Sequence, residues 1–369
     1  MKQFLKSVSL MLCVVSLLPL LLSACTSHSY EVVMSYNGIE LTEDMYNYWM
    51  ATFKRNILSS YSDAYDTEAF WSQPYDETRT VEEYFTEIIH ARITNYLIAQ
   101  DLYKKNRLTM DDATKQAIKD DIKEKIEYYG SRGALNAELS TMMLNVDSLQ
   151  DIYTWEEKHN TVYNWMFGEG GAYEISDDKL IAYYEENYSR IQYIVFYTTK
   201  IKTDEDGNYV YDDSGNVITE EMTPKETEAK QARIEECLAK MEDGADFETL
   251  RKTYSEFDTS GYPNGFFVSA NELDVWGVDI ILGAQKAEIG EVFRVEEEAA
   301  VFLVRKCSLT PFSDLTDSDI KQLEHLTSYA TQDLYDNVFA ELSETVTVNE
   351  DVLKKYKLSV IRPNPYYSI

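Results

Sequence analysis

Histidine is scarce in this chain of 369 residues, and its scarcity excludes several kinds of active site. His28, His90, His159 and His325 stand far apart, and no H-x-x-x-H or C-x-x-C spacing occurs. A zinc site needs ligands at such spacings, and a Ser/His/Asp or Cys/His centre needs a histidine beside its nucleophile. The sequence therefore predicts neither a metal site nor a hydrolase, and it indicates no cofactor.

Basic residues are also in short supply, because 34 Lys and Arg stand against 65 Asp and Glu, for a formal net charge of −31. Binding of nucleic acid needs a cationic surface that neutralises phosphates, so this balance predicts no nucleic-acid partner. Acidity of this size favours a solvated surface that resists aggregation. It would also suit cationic polypeptide clients.

Cysteine is rare as well, and two of the four cysteines, Cys13 and Cys25, fall in or near the apolar N-terminal run. Cys237 and Cys307 are the remaining thiols. They could pair outside the cytoplasm, or each could serve as a small buried hydrophobic residue, which is the favoured interpretation.

Tyrosine, in contrast, is abundant, with 29 residues, and aromatic residues make up 13% of the chain. A tyrosine ring offers a broad amphipathic contact surface at low entropic cost, which suits the binding of varied peptides. Tyrosine also packs well in ordinary cores. The enrichment therefore adds only modestly to the case for a peptide-binding surface.

The N-terminus combines Lys2 and Lys6 with an apolar run over residues 8–22. The run is too short and wrongly flanked for a membrane-spanning helix and is typical of a secretory signal. The tetrapeptide LSAC at 22–25 resembles the lipobox of bacterial lipoproteins, which implies cleavage before Cys25 and acylation of its sulfur. Several acyl chains give stable anchoring where one is marginal. The alternative is an ordinary signal peptide with a coincidental cysteine.

The chain after the N-terminal segment is predicted to be mostly helical up to about residue 189. "EVVMSYNGI" at 31–39 alternates apolar and polar residues and ends on Asn-Gly, which predicts a strand and a turn. Thr80 and Glu83 have capping-box spacing at the start of an amphipathic helix. Further helices are predicted at about 111–129 and 148–166.

Beyond residue 190 the pattern changes to mixed strand and helix. "IQYIVFYTT" at 191–199 predicts a strand, and the segment 203–221, rich in Asp, Gly and Asn, predicts an exposed hairpin. Thr223 and Pro224 then begin a helix in the favoured order of cap followed by proline.

Four further stretches complete the pattern: "GADFETLRKTYS" at 244–255, the glycine-framed loop "GYPNGFF" at 261–267, "GEV" at 290–292 and a last strand at 300–305. Together with the strand at 191–199 and the long helix that begins at Thr223 and Pro224, these stretches follow one another in an order that resembles a parvulin-type peptidyl-prolyl isomerase domain. The whole layout is similar to that of PrsA-like foldase lipoproteins, and periplasmic chaperones of the SurA type share it.

The resemblance implies an α+β fold, in which a mostly helical chaperone domain built from both ends of the chain surrounds an inserted parvulin-like β-α domain. The predicted segments are a signal peptide at 1–24, a lipidated tether at 25–30, a helical domain at 31–189, a parvulin-like domain at 190–310 with its hairpin at about 203–221, and a C-terminal helix and tail at 311–369 that pack back on the helical domain.

The resemblance also implies a site, and here the sequence departs from the family pattern. Active members carry two histidines, on the first and last strands, in a network with a Cys or Asp. These positions fall on Gln192, on Phe302 and on Phe257 or Asp258, and a slip of one residue brings in no histidine. The catalytic candidates are Gln192 and Asp258. The candidates for substrate binding are Phe266, Phe267, Leu273, Trp276 and Phe302.

The sequence thus predicts a membrane-anchored extracytoplasmic foldase or chaperone whose partners are unfolded or newly exported polypeptides. Its predicted location is the outer face of the bacterial cytoplasmic membrane, or the periplasm in a cell with two membranes, with Cys25 as the anchor. One alternative is an active isomerase with a histidine-free site. The other is a non-catalytic structural or ligand-binding lipoprotein.

Overall fold

The computed structural model describes residues 30–61, 65–204, 208–212 and 217–365. The predicted signal peptide and the lipidation site at Cys25 lie outside the described residues. Within the described ranges, no helix combines the length and the apolar character needed to cross a membrane. The chain divides into two compact units, Met1–Tyr173 with Tyr335–Ile369, and Glu174–Leu334.

Helices and strands are both numerous, and the fold is α+β as predicted. The helices are α1 Glu43–Tyr61, α2 Glu68–Trp71, α3 Val81–Lys105, α4 Asp112–Tyr128, α5 Arg132–Leu139, α6 Val146–Phe167, α7 Asp177–Asn187, α8 Pro224–Glu242, α9 Phe247–Tyr254, α10 Leu273–Trp276, α11 Val278–Lys286, α12 Asp317–Gln322, α13 Leu326–Ser343 and α14 Glu350–Leu353. The strands are β1 Val32–Tyr36, β2 Ile39–Thr42, β3 Tyr188–Tyr197, β4 Thr199–Ile201, β5 Thr219–Glu221, β6 Phe266–Ser269, β7 Val292–Glu296, β8 Ala300–Cys307 and β9 Thr347–Val348.

The first unit is helical around a small antiparallel sheet in the order β2-β1-β9. Asn37 and Gly38 join β1 to β2 with positive φ angles of 49° and 79°, which explains why the sequence has Asn-Gly at this turn. The predicted capping box is present, because the Thr80 hydroxyl accepts from the Glu83 amide and the Glu83 carboxylate accepts from the Thr80 amide. The helices predicted at 111–129 and 148–166 are confirmed as α4 and α6.

The second unit is built on an antiparallel sheet in the order β6-β3-β8-β7. On one face, Ile194 and Phe196 pack with Phe247, Leu250 and other apolar residues of α8 and α9. On the other face, residues of β3, β6, β7 and β8 pack against α11. The sheet therefore separates two apolar layers, and the parity of a residue along β3 or β8 decides which layer it joins.

The second unit is longer at both ends than the predicted domain at 190–310. Tyr184 of α7 and Tyr188 share a buried cluster with Phe267, Leu323 and Leu326. This third apolar cluster holds α7 and α12 in the same unit as the sheet. The hairpin predicted at about 203–221 is part of a longer antiparallel ribbon, because β4, which lies before that range, pairs with β5. Residues 205–207 and 213–216 of this segment lie outside the described part of the chain.

Cys237 and Cys307 are both free thiols. Cys237 is fully buried beside Ile234 and Phe247, and burial raises the pKa of its thiol to about 11. Cys307 is half-buried at the end of β8. The two cysteines are therefore unpaired, and Cys237 acts as a core residue as predicted.

Candidate functional site

The face of the sheet that packs on α11 carries an aromatic cluster, formed by Tyr193, Phe257, Tyr262, Phe266, Trp276 and Phe302. Tyr193 is at its centre. Its ring centroid lies 5.2 Å from that of Phe266, 5.7 Å from that of Phe302 and 6.2 Å from that of Trp276. Ring pairs at such distances contribute stabilisation beyond the burial of their area.

The cluster has a buried floor and an exposed rim. Tyr193 and Phe266 are only 7% and 8% exposed, whereas Phe257 and Tyr262 are 43% and 37% exposed. Trp276 is half-buried, and the exposed Val275 on the same short helix extends the apolar surface. The rim therefore offers aromatic area that no group of the unit covers completely.

Three predicted substrate-binding residues, Phe266, Trp276 and Phe302, are brought together in this cluster. Phe267 is not, because it is the next residue along β6 and points to the opposite side. It is 3% exposed and packs in the core with Tyr184, under the Arg190 guanidinium, 5.0 Å from the ring centroid. Leu273 begins α10, but its side chain lies outside the described part of the structure.

Gln192 lies on the other face of β3 from the aromatic cluster, as its position between Ile191 and Tyr193 requires. Its side-chain amide donates to the Pro263 carbonyl at 3.0 Å and accepts from the Arg305 guanidinium. In this geometry the Gln192 side chain holds the 261–265 loop from the face of β3 opposite to the aromatic cluster.

The same loop is fixed by two further features. The Arg251 guanidinium donates to the Tyr262 and Pro263 carbonyls at 3.3 and 3.4 Å. Gly265 has φ of +93°, and a Cβ at this position would lie 2.1 Å from the Ile191 carbonyl oxygen. Only glycine fits such a position, which explains the glycine before Phe266. The loop thereby sets the Tyr262 ring against the Phe266 ring, with centroids 4.5 Å apart.

Asp258 stands in an exposed turn, where its carboxylate accepts from the Ser260 amide at 2.9 Å. That bond to the backbone holds the pKa of the Asp258 carboxyl below its usual range, so the group stays ionised at neutral pH. Among the described residues, no hydrogen bond joins Asp258 to Gln192. The two predicted catalytic residues therefore do not form one network.

Tyr193 was not among the predicted site residues, yet its ring has the central position in the aromatic cluster, next to the Phe302 ring. Burial raises the pKa of Tyr193 to about 12, so its hydroxyl is a neutral donor at physiological pH. A strand buried on both faces shows no alternation, so the sequence of β3 could not reveal which of Gln192 and Tyr193 faces the cluster. The one feature of the sequence that could have pointed to Tyr193 is that an aromatic residue directly follows Gln192.

The cluster is neutral and aromatic, with one central phenol. Such a surface suits extended, proline-rich or apolar peptide segments, because aromatic grooves accept the preformed and rigid polyproline conformation. The fold and the site together define an α+β protein with an aromatic surface that is partly exposed.

No family model and no curated protein matches the sequence. The solved structures that match include PrsA foldases and a SurA-like chaperone. PrsA from Bacillus subtilis matches at 17% identity over 77% of this chain and 93% of its own, with a TM-score of 0.22. PrsA from Streptococcus pneumoniae matches at 16% identity, over 77% and 93%, with a TM-score of 0.24.

A structure of SurA-like chaperones from Campylobacter jejuni matches at 10% identity, over 86% of this chain and 98% of that one, with a TM-score of 0.25. The neighbours are thus of the PrsA-like and SurA-like kinds that the sequence pattern resembles. Likenesses at these values transfer no residue role, so the function proposed below rests on the side chains of this chain.

Proposed function

We propose that this protein is a membrane-anchored, extracytoplasmic foldase or chaperone for newly exported, incompletely folded polypeptides. The aromatic cluster is the observation that carries the proposal. Its floor is packed and its Phe257 and Tyr262 rim is open, so a passing segment finds a preformed apolar surface. Tyrosine and tryptophan lose little entropy when they bind, which suits transient contact with many clients.

Export and anchoring are supported by the sequence alone. The apolar run at 8–22 behind Lys2 and Lys6 is a secretory signal, and the LSAC tetrapeptide places Cys25 where a lipid would be attached. The Cys25→Ser variant should be exported but recovered with the soluble fraction. Wild-type protein should remain with the membrane after a high-salt wash, and its release by salt would contradict a lipid anchor.

Within the foldase proposal, the aromatic cluster would receive the proline ring of an Xaa-Pro segment. Rotation about the peptide bond has a barrier of ~18–20 kcal/mol. At Xaa-Pro bonds this step takes tens to hundreds of seconds without a catalyst, which is slow enough to limit folding. An apolar surface that excludes water favours the twisted amide, whose charge is less delocalised, over the planar one.

Tyr193 is the residue best placed to touch the reacting amide. Its neutral hydroxyl can donate a hydrogen bond to the carbonyl of the residue before proline, and this needs no proton transfer and hence no histidine. Phe266, Trp276 and Phe302 surround the Tyr193 ring and would hold the proline ring. Gln192 acts from the other face by positioning the loop that carries Tyr262.

Slowed aggregation of several unrelated denatured clients is the test of chaperone function. The double variant Trp276→Ala, Phe302→Ala should no longer slow the aggregation of these clients. Tyr209→Ala is the matched control, because Tyr209 is 55% exposed on the ribbon of the same unit and outside the cluster. If wild-type protein protects no client but melts at a sharply higher temperature with one small ligand, the protein is a ligand-binding lipoprotein instead.

A further inference from the structure

The first unit holds a large groove that the aromatic cluster does not explain. It has a volume of about 1250 Å³ and lies between α4, α5 and α6, with Asn364 and Pro365 at one edge. Typical small-molecule sites have volumes of roughly 300–1,000 Å³. The groove therefore exceeds the size of a small-molecule site and suits a segment of polypeptide.

The floor of the groove is apolar. Ile118 of α4, Leu135 and Leu139 of α5 and Leu149 of α6 line it, and each is 8% exposed or less. Tyr128, at the end of α4, is 84% exposed and also lines the groove. A floor of this kind would receive apolar side chains, and the tyrosine adds amphipathic area at its edge.

The walls of the groove are acidic. Carboxylates of Glu124 on α4, Glu138 on α5 and Glu157 on α6 all line it. Lys125 is its single lining cation, and it forms an ion pair with Asp121 at 3.4 Å. Within the described ranges, none of the three glutamates forms an ion pair with a lysine or an arginine.

Lys125 also shows how this groove holds a cation. Its ammonium group lies 3.4 Å from the Asp121 carboxylate and 5.9 Å from the centroid of the Tyr153 ring. A cation within about 6 Å of an aromatic face is attracted by the ring quadrupole. Glu124, Glu138 and Glu157 form no ion pair among the described residues, so their carboxylates can attract further cations.

We propose that this groove binds cationic, amphipathic client segments, in which lysine or arginine alternates with apolar residues. The apolar side chains would pack on Leu135, Leu139 and Leu149, and the cations would lie against Glu124, Glu138 and Glu157. This inference rests on the proposed chaperone function and names the client chemistry for the first unit. Charge complementarity of this kind gives specificity and speeds encounter.

Fluorescence anisotropy with three labelled peptides tests the inference. One peptide alternates lysine with leucine, the second has glutamate in place of lysine, and the third has glutamine. The protein is the chain from residue 25 with Cys25→Ser, which keeps both units and removes the lipid site. The lysine peptide should bind at least about tenfold more tightly than the other two, and its affinity should fall with added salt.

Two matched triple variants separate the groove from the general field of the protein. In the groove variant, Glu124, Glu138 and Glu157 become glutamine. In the control variant Glu40, Glu77 and Glu169, which are exposed and do not line the groove, become glutamine. The groove variant should bind the lysine peptide about tenfold more weakly than wild type. The affinity of the control variant for the same peptide should differ from that of wild type by less than about twofold.

Equal losses in the two triple variants, or no loss in the groove variant, would overturn the inference. Displacement of the lysine peptide by an equimolar small polyamine would also overturn it, because the groove would then take a cation and not a peptide. Unchanged unfolding midpoints show that both variants are folded. Protection of a client that lacks cationic segments reports on the chaperone function separately, so this inference can fail while the proposed function stands.

Discussion

The aromatic cluster of the second unit and the groove of the first unit both present apolar surface, but their chemistry differs. The cluster is made of neutral rings around Tyr193, with Phe257 and Tyr262 exposed. The groove has an apolar floor and carboxylate walls, which include Glu124 and Glu138. We infer that the cluster selects ring shape and that the groove selects charge.

The difference predicts different responses to salt. Ring stacking and apolar burial change little with ionic strength, whereas attraction between exposed charges is screened within a Debye length of about 8 Å at physiological salt. A client that contains both kinds of segment would therefore keep its contact with the cluster at high salt and lose its contact with the groove.

The largest effect is expected from Gly265→Ala. A Cβ at position 265 would lie 2.1 Å from the Ile191 carbonyl oxygen, and φ of +93° disfavours any side chain. We expect a loss of roughly 2–4 kcal/mol in the unfolding free energy, with loss of peptide binding at the cluster. Chemical denaturation measures the loss. Gly261→Ala is the control in the same loop, because nothing lies within 4 Å of its Cβ position.

Binding of the lysine peptide at the groove should survive Gly265→Ala under conditions where the variant is folded. If the groove and the cluster lost binding together in folded protein, the two sites would not be separate, and the comparison would be wrong.

Acid should destabilise the first unit through His159. Burial lowers the pKa of His159 to about 4, and its Nε2 lies 2.7 Å from the Tyr335 hydroxyl oxygen. The unfolded chain binds this proton near pH 6.5, so stability is intact above 6.5 and is lost as the pH falls towards 4. The loss between pH 7 and 5 is about 2 kcal/mol.

Thermal melts of wild-type protein and His159→Gln at pH 7 and pH 5 measure this effect. The variant should show a smaller acid shift, because it has no proton to gain at this position. His325→Gln is the matched histidine replacement at an exposed position of the second unit. Equal shifts in all three proteins would remove His159 as the cause.

Glu156→Gln should stabilise the first unit at neutral and higher pH. Burial raises the pKa of Glu156 to about 7, and its carboxylate accepts from the Trp49 indole at 2.8 Å. The folded state holds this proton more tightly than the unfolded state, so the group destabilises the fold as the pH rises from 4.5 to 7. Glutamine keeps the acceptor, and we expect a gain of roughly 1–3 kcal/mol at pH 8 with little change at pH 4.

Denaturation of Glu156→Gln at both pH values tests this prediction. Glu169→Gln is the control on the exposed surface of the same unit and should change neither value. A variant that is less stable than wild type at pH 8 would show that the ionised carboxylate contributes favourably to the fold.

The smallest effect is expected from Tyr193→Phe, which removes one hydroxyl and keeps the ring. Peptide affinity at the cluster should stay within about twofold, because the ring contacts remain. Any acceleration of Xaa-Pro exchange should fall by about 2–10-fold, since one hydrogen bond is worth about 0.5–1.5 kcal/mol. A Tyr193→Phe variant with unchanged exchange would show that the hydroxyl has no role.

Part of the fold and of the candidate site could be predicted from the sequence, and the residues that could not be predicted have a physical reason. Local signals succeeded, as the capping box of Thr80 and Glu83 shows. Three of the residues named for substrate binding, Phe266, Trp276 and Phe302, lie in one cluster, and their role in binding stays a prediction. Gln192 was named because the family's first-strand histidine position falls on it. Both faces of β3 are buried, so the sequence could not show that its neighbour Tyr193 is the residue that faces the cluster.

The groove could not be predicted for a different reason. Its lining residues come mainly from the consecutive helices α4, α5 and α6, and the way these helices pack on one another and on the segment near Pro365 cannot be read from their separate sequences. The acidity of the chain was visible in its composition, but composition does not reveal which carboxylates share one surface. Only the packing of the helices places Glu124, Glu138 and Glu157 around one apolar floor.

The most direct test of the central claim is NMR exchange spectroscopy on Xaa-Pro peptides, with the residue before proline varied, in the presence of the full soluble chain with Cys25→Ser. We expect the peptides to bind at the aromatic cluster and their cis/trans exchange to become faster. Both effects should be lost in the double variant Tyr262→Ala, Phe302→Ala, and both should be kept in the control Tyr209→Ala. Binding without acceleration would leave a chaperone that is not an isomerase. Absence of binding, with exchange no faster than in buffer, would contradict the claim that the aromatic cluster receives proline segments.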